Sequence, residues 1–276
     1  MGEKPQASTT SPLPENWPSH IPYLTRPAYS PYLTPAHLRA LRTRPADALD
    51  PLPEIPRHLK TGPCPSVRIT PITDPNHPAH GQAGLFATRD LGPGELILPY
   101  LGEVHIGTPP FGRCPSANSN SRSGGGDNAD HHDSDNADDG YDYARSDYDL
   151  WLDRDADLAV DAARMGNEAR FVNDYRGVPD RGGNNNNNNN EKKKKRPNAE
   201  FRTAWDPRTG ERCMAVFVLP ASKRATGRAR TVGIARGEEI LVSYGKGFWQ
   251  ERRESGMGED GNGDGNWGGN GNAGEA

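Results

Sequence analysis

The chain has 276 residues with a formal net charge of −4; 32% are hydrophobic, 32 are glycine and 26 are proline. This low apolar share predicts long irregular or disordered stretches around one modest folded domain, and the balanced charge favours no class of partner. Three widely spaced cysteines predict neither a disulfide framework nor a zinc site, and no apolar run has the length of a membrane span.

Residues 1–66 form a proline-rich arm that we expect to be largely extended or irregular, because proline fixes φ and lacks a backbone N–H. One short helix is predicted inside it. Thr34 suits the N-cap, Pro35 suits the first helical position, and Leu38 and Leu41 fall on one face. The arm either packs on the folded domain or engages a partner.

Short strands separated by turns are predicted between residues 67 and 250. Each is a run of apolar or β-branched residues bounded by glycine, proline or polar residues. The predicted strands are Val67–Ile69, Gly84–Ala87, Glu95–Tyr100, Tyr148–Leu152, Leu158–Val160, Ala199–Trp205, Cys213–Leu219 and Glu239–Ser243. This pattern favours a mainly β domain over alternating β–α–β units.

Two insertions and a tail are predicted to be disordered. Residues 106–145 are rich in serine, asparagine, glycine and aspartate; residues 176–197 contain seven consecutive asparagines; residues 251–276 are mostly glycine, asparagine and acidic residues. The acidic spacing does not match a calcium loop, so no metal site is predicted. The basic run Lys192–Arg196 fits either a nuclear import signal or a solvated loop, and it predicts no specific nucleic-acid binding.

The segment Gly166–Asp174 lies between the two insertions, yet it alternates apolar residues with groups suited to directed hydrogen bonds. Two interpretations remain open from the residues alone. The segment is either a packed turn that holds a ligand against a core, or an ordinary helix end at which Gly166 is the stop.

Four segments in chain order carry a shared signal, namely Gly81–Glu95, Tyr100–Val104, Gly166–Asp174 and Gly237–Gly245. They resemble the motifs of the SET-domain protein lysine methyltransferases. Each is weak alone, but four in the family's order form a specific pattern. The resemblance implies a SET-type fold of small curved β-sheets around a knot-like crossing, in which the third segment is threaded beside the fourth. It also implies that S-adenosylmethionine binds on one face and that a substrate lysine enters from the other.

The resemblance further implies roles for single residues. Tyr244 matches the catalytic tyrosine, with a half-buried strand tyrosine as the alternative, and Tyr100 resembles a tyrosine that lines the lysine channel. Tyr148 and Trp249 are candidates for the channel wall or for the core. The residues that match cofactor-binding positions are Ala83, Gly84, Arg170, Phe171, Asn173 and Asp174.

Three residues depart from the family's usual pattern. Gln82 stands where glycine is usual, Asp174 where histidine is usual, and Ser243 where aspartate is common. The resemblance as a whole implies a protein lysine methyltransferase that acts on a histone or on another protein, and we expect a monomer. The basic run Lys192–Arg196 favours the nucleus, or nucleus and cytoplasm, as its location. The departures leave open a SET module that binds proteins without catalysis. No cysteine follows Tyr244, so a zinc-holding segment after it cannot form.

Overall fold

A computed structural model describes residues 13–44, 51–107, 141, 143–179, 195–221 and 232–245. The chain divides into one unit, Met1–Val242, and a second unit, Ser243–Ala276. Most of both predicted insertions, the tail, the basic residues 192–194 and the wall candidate Trp249 lie outside the described residues.

The first unit is mainly β, as predicted, and its described part contains one α-helix and two 3₁₀ turns. The helix α1 is Pro35–Leu41, and the 3₁₀ turns are Tyr143–Arg145 and Glu168–Phe171. The strands are β1 Ala28–Tyr29, β2 Val67–Pro71, β3 Ala83–Ala87, β4 Leu96–Tyr100, β5 Glu103–Ile106, β6 Asp149–Asp153, β7 Leu158–Asp161, β8 Asn173–Asp174, β9 Ala199–Asp206, β10 Glu211–Val218 and β11 Leu241–Val242.

These strands form four small sheets in the described part. One has the order β1-β5-β7-β6 and another the order β4-β10-β9, while β2 pairs with β3 and β8 pairs with β11. The β8–β11 pair is parallel, with Asn173 opposite Leu241 and Asp174 opposite Val242. The third and fourth resembling segments therefore lie side by side, as the resemblance implies.

The predicted helix is confirmed together with its cap. The Thr34 hydroxyl accepts a hydrogen bond from the His37 N–H at 3.3 Å, and the Thr34 N–H donates to His37 Nδ1 at 3.2 Å. Reciprocal bonds of this kind satisfy backbone donors that a helix start leaves unpaired. The helix packs on the unit through Leu41, which is 1% exposed.

The proline-rich arm packs on the rest of the first unit, which is one of the two alternatives for it. Its Trp17 is buried, its strand β1 pairs with β5, and Ile55 lies in a core cluster with Ala204 and Phe217. Buried residues thus begin well before Val67, because aromatic and branched side chains between the prolines contact the sheets.

The ends of both predicted insertions belong to the folded unit. Ile106 completes β5, and the ring of Tyr143 stacks on His105 with centroids 3.7 Å apart. Val178, at the start of the second insertion, is 3% exposed. Composition averaged over a long polar stretch conceals single apolar residues at its ends, and these residues pack on the folded unit, with Val178 buried and Ile106 and Tyr143 half-buried.

Candidate functional site

The third resembling segment is held on both sides by backbone contacts. The Gly166 N–H donates to the Pro22 carbonyl at 3.1 Å, and the Gly166 carbonyl accepts from the Leu24 N–H at 2.7 Å. A Cβ at Gly166 would lie 3.0 Å from the Leu101 carbonyl oxygen, so close packing favours glycine here. The helix-end interpretation is wrong, because Gly166 precedes the 3₁₀ turn Glu168–Phe171 and follows no helix.

Asn167 joins this segment to the turn between β4 and β5. Its Oδ1 accepts from the Leu101 N–H at 3.1 Å and its Nδ2 donates to the Pro99 carbonyl at 2.9 Å. The side chain is buried. Asn167 therefore has a structural role, since both ends of its amide are bonded to backbone.

Glu168 joins the same segment to the proline-rich arm. Its buried carboxylate accepts from the Cys64 N–H at 2.7 Å and from the Tyr23 hydroxyl at 3.0 Å. Burial and the neighbouring carboxylate raise the pKa of Tyr23, so that its hydroxyl stays protonated and remains a donor.

Arg170 is bonded to the chain that leads into the segment. Its Nε donates to the Ala162 carbonyl at 2.9 Å and its Nη2 to the Ala163 carbonyl at 3.2 Å. Its guanidinium carbon lies 4.4 Å from the ring centroid of Tyr148. These contacts fix the 3₁₀ turn relative to the end of β7.

Phe171 contacts an aromatic group that belongs to the arm. Its ring meets Trp17 edge to face at 5.8 Å, and Trp17 meets Tyr23 in the same way at 5.0 Å. The Trp17 indole donates to the Ile21 carbonyl at 2.7 Å. Sequence reasoning missed Trp17, because nothing in a proline-rich arm indicates which aromatic residue turns inward.

Asn173 lies where the first, third and fourth resembling segments meet. Its Nδ2 donates to the Glu239 Oε1 atom at 3.0 Å and, more weakly, to the Ala83 carbonyl at 3.4 Å. The residue is only half-buried, and within the described chain no group donates to its Oδ1. Asn173 thus presents an amide oxygen as an available acceptor.

Gly84 makes room for this contact. A Cβ at position 84 would lie 2.7 Å from the Glu239 Oε1 atom, 3.0 Å from Asn173 Nδ2 and 3.1 Å from a methyl carbon of Ile72. Because glycine has no side chain, position 84 leaves the space that the Asn173–Glu239 pair occupies. The sequence alone does not reveal this reason for glycine.

Glu239 and His77 complete the cluster, and neither was predicted as a site residue. The His77 Nε2 atom lies 3.1 Å from the Glu239 Oε2 atom, and the two residues are 7% and 6% exposed. Glu239 lies inside the fourth resembling segment, which could have drawn attention to it. His77 lies in a loop outside all four segments, and no sequence signal marks it.

The side chain of Asp174 bonds to Arg176, two residues further along the chain. Its Oδ1 accepts from the Arg176 N–H at 2.8 Å and its Oδ2 from the Arg176 guanidinium at 2.7 Å. Its backbone pairs with Val242. The aspartate that replaces the usual histidine is therefore accommodated by a local charged bond, and the strand pairing is retained.

The two predicted catalytic tyrosines belong to different units and are described separately. Tyr100 is 4% exposed, its hydroxyl donates to the Tyr148 carbonyl at 2.6 Å, and its ring packs edge to face on Phe201 at 5.3 Å. Tyr244 belongs to the second unit and is half-buried. The structure thus brings Ala83, Gly84 and Asn173 together, whereas Tyr100 has the packing of a core tyrosine.

The described ranges contain no cluster of three histidine, cysteine or acidic side chains that could hold a metal ion. Among the same residues, no helix has the length and apolar character needed to cross a bilayer.

No protein-family model and no curated protein matches the sequence. Solved structures with some similarity include a polycomb repressive complex 2 in an autoinhibited conformation bound to S-adenosylmethionine, at 17% identity over 68% of this chain and 17% of that one, with a TM-score of 0.37. The Chaetomium thermophilum polycomb repressive complex 2 matches at 18% identity over 65% and 15%, with a TM-score of 0.35. An active polycomb repressive complex 2 in the stimulated state matches at 18% over 59% and 14%, with a TM-score of 0.32. The chain spans less than a fifth of each matched chain, and TM-scores this low do not establish a common fold.

Proposed function

We propose that the chain is an S-adenosylmethionine-dependent protein lysine N-methyltransferase. The observation that carries the proposal is the meeting of three motif segments at Asn173, which pairs with β11 and bonds to Glu239 and to the Ala83 carbonyl. In the sequence, Tyr244 follows the end of β11 by two residues.

The residues around Asn173 fit the proposed cofactor. S-adenosylmethionine supplies, when bound, a methyl group that its sulfonium already activates, so the protein needs neither a metal nor a covalent nucleophile. The half-buried Asn173 Oδ1 atom is an acceptor suited to the ammonium of an amino-acid head group. Because Glu239 carries a buried carboxylate next to it, the local field also favours a positively charged ligand.

The protein contributes to the proposed reaction mainly by positioning the substrate lysine. A lysine with a pKa of about 10.4 must lose its proton, which costs roughly 4–5 kcal/mol near pH 7. A desolvating channel lowers this cost because it disfavours the ammonium form. The proposed role of Tyr244 is to orient the neutral amine, and alignment of two reactants contributes on the order of 7–11 kcal/mol.

The proposed substrate is a lysine in a histone or another protein, and the proposed location is the nucleus. The basic run Lys192–Arg196 supports nuclear import, since runs of this composition are recognised by import carriers. We propose that the protein acts as a monomer.

Titration calorimetry with S-adenosylmethionine tests the proposal directly. Purified full-length protein should bind the cofactor and should transfer a labelled methyl group to lysine in histones or in proteins of a cell extract. The proposal is refuted if the folded protein binds no S-adenosylmethionine.

A second function, a SET-like module that binds proteins without catalysis, is favoured by two observations. The space beside Gly84 already contains the Glu239 carboxylate, and Asp174 is engaged by Arg176 where the family usually has histidine. Binding of histone peptides without cofactor binding or methyl transfer would select this alternative.

A further inference from the structure

The loop between β2 and β3 inserts a histidine into the core of the candidate site. His77 is 7% exposed, and its Nε2 atom lies 3.1 Å from the Oε2 atom of Glu239, 162 residues further along the chain. Its Nδ1 atom accepts a hydrogen bond from the Ala79 N–H at 3.0 Å.

These two contacts determine which ring nitrogen of His77 carries a proton. A backbone N–H can only donate, so Nδ1 accepts and carries no hydrogen. The hydrogen of the neutral ring is therefore on Nε2, and it is donated to the Glu239 carboxylate. This tautomer is assigned from the hydrogen-bond network.

The same reasoning extends to Asn173. The second oxygen of Glu239, Oε1, accepts from Asn173 at 3.0 Å. An ionised carboxylate accepts only, so it selects the NH₂ end of the Asn173 amide. The Asn173 Oδ1 atom must then face the other way, where it is available to a donor.

The loop that carries His77 is itself firmly held. The His77 N–H donates to the Asp74 carbonyl at 3.1 Å, and the Gly81 N–H donates to the Ile72 carbonyl at 3.0 Å. A Cβ at Gly177 would lie 2.7 Å from Cγ of Pro78, so this loop packs closely on the chain that follows β8. His77 therefore has little freedom to move away from Glu239.

We propose that His77 is a positioning residue for the cofactor. By donating to Glu239, it holds the carboxylate in a fixed orientation, and Glu239 in turn holds the Asn173 amide with its oxygen toward the ligand. The proposal rests on the proposed function, because the ligand whose ammonium Asn173 accepts is S-adenosylmethionine. Ala79 donates to His77 and His77 donates to Glu239 Oε2, while the Asn173 amide donates to the other oxygen of the same carboxylate.

Calorimetric titration of full-length variants with S-adenosylmethionine tests the positioning role. His77→Leu removes the donor and leaves a buried carboxylate oxygen unsatisfied, so we expect the dissociation constant to rise about tenfold or more. His77→Gln restores an N–H donor and is expected to recover most of the affinity. His80→Leu is the matched control, because His80 is an exposed histidine of the same loop. The affinity of this variant for S-adenosylmethionine should stay within about twofold of that of the wild type.

Imidazole ¹⁵N–¹H correlation spectra of the wild type provide a readout that folding defects do not affect. The His77 signal, identified by its loss in His77→Gln, should show a protonated Nε2 and an unprotonated Nδ1. A protonated Nδ1 would refute the proposed network, even if His77→Leu fails to fold.

The possible failures are distinguishable. Absence of cofactor binding by the folded wild type refutes the proposed function. Wild-type binding that is equally tight in a folded His77→Leu variant refutes only the positioning role of His77.

Discussion

Replacement of Gly84 by alanine tests the packing on which the candidate site depends. The added methyl group would lie 2.7 Å from Glu239 Oε1, 3.0 Å from Asn173 Nδ2 and 3.1 Å from an Ile72 methyl carbon. All three separations are shorter than van der Waals contact, and none of the three side chains is exposed. The variant must therefore either compress this cluster or displace the Glu239 carboxylate.

The expected cost follows from these two routes. Overpacking of a close-packed interior costs about 1–3 kcal/mol. Displacement of the carboxylate breaks a hydrogen bond to a charged group, worth about 1.5–3 kcal/mol. Alanine also stiffens the unfolded chain, which offsets about 0.4–1 kcal/mol. We expect the free energy of unfolding of Gly84→Ala to fall by about 2–4 kcal/mol, because the routes overlap.

Urea unfolding followed by tryptophan fluorescence measures this change, and calorimetry measures the affinity for S-adenosylmethionine in parallel. Gly92→Ala is the matched control, since a Cβ there would lie 3.6 Å from Glu95 Oε2, an ordinary contact. Its stability should stay within about 1 kcal/mol of the wild type. If Gly84→Ala equals Gly92→Ala in both stability and cofactor affinity, the packing argument is wrong.

Three further predictions concern other parts of the chain. Tyr244→Phe should lower methyl transfer to histone peptides about 100-fold with cofactor affinity unchanged, and undiminished transfer would contradict its role. Burial lowers the pKa of His105, but Asp149, the hydrogen bond to the Ile106 carbonyl and Asp161 together raise it more, so the net pKa is raised. The charged form of His105 therefore stabilises the fold fully below about pH 6.5, the pKa of histidine in the unfolded chain. This stabilisation is lost as the pH rises through the pKa of His105 in the folded protein. Urea unfolding across this range should show the loss, and His105→Gln should remove it; an identical pH dependence in both proteins would contradict the prediction. Ile55 is 0% exposed, so Ile55→Ala leaves a cavity in the core and should lower the free energy of unfolding in urea by about 2–5 kcal/mol. A decrease below about 1 kcal/mol would contradict a core position for Ile55.

The regular elements were predictable because their signals are local. The cap of α1 requires only Thr34 and the three residues that follow it, and β9 and β10 are indicated by their own residues and by the turn that ends at Gly210. The strand β5 was missed, since Glu103–Ile106 is short and adjoins a long polar stretch. Its partners β1 and β7 stabilise it from distant parts of the chain.

The candidate site was predictable only in part. The motif resemblance marked Gly84 and Asn173, and the structure brings them together. It did not mark Trp17 or His77, which lie outside the resembling segments and reach the site through the arm and the β2–β3 loop. No periodicity or spacing indicates such residues, because their only distinguishing property is the partner they contact.

The sequence by itself determined the mainly β class, the helix cap and the identity of the segments that resemble a methyltransferase. These depend on neighbouring residues, whose backbone preferences and hydrogen bonds act over a few positions. Only the tertiary structure decided that His77, Asn173 and Glu239 form one hydrogen-bonded cluster and that Gly84 leaves space for it. The physical reason is that contacts across 162 residues depend on strand register and on close packing of side chains, which are properties of the assembled sheets.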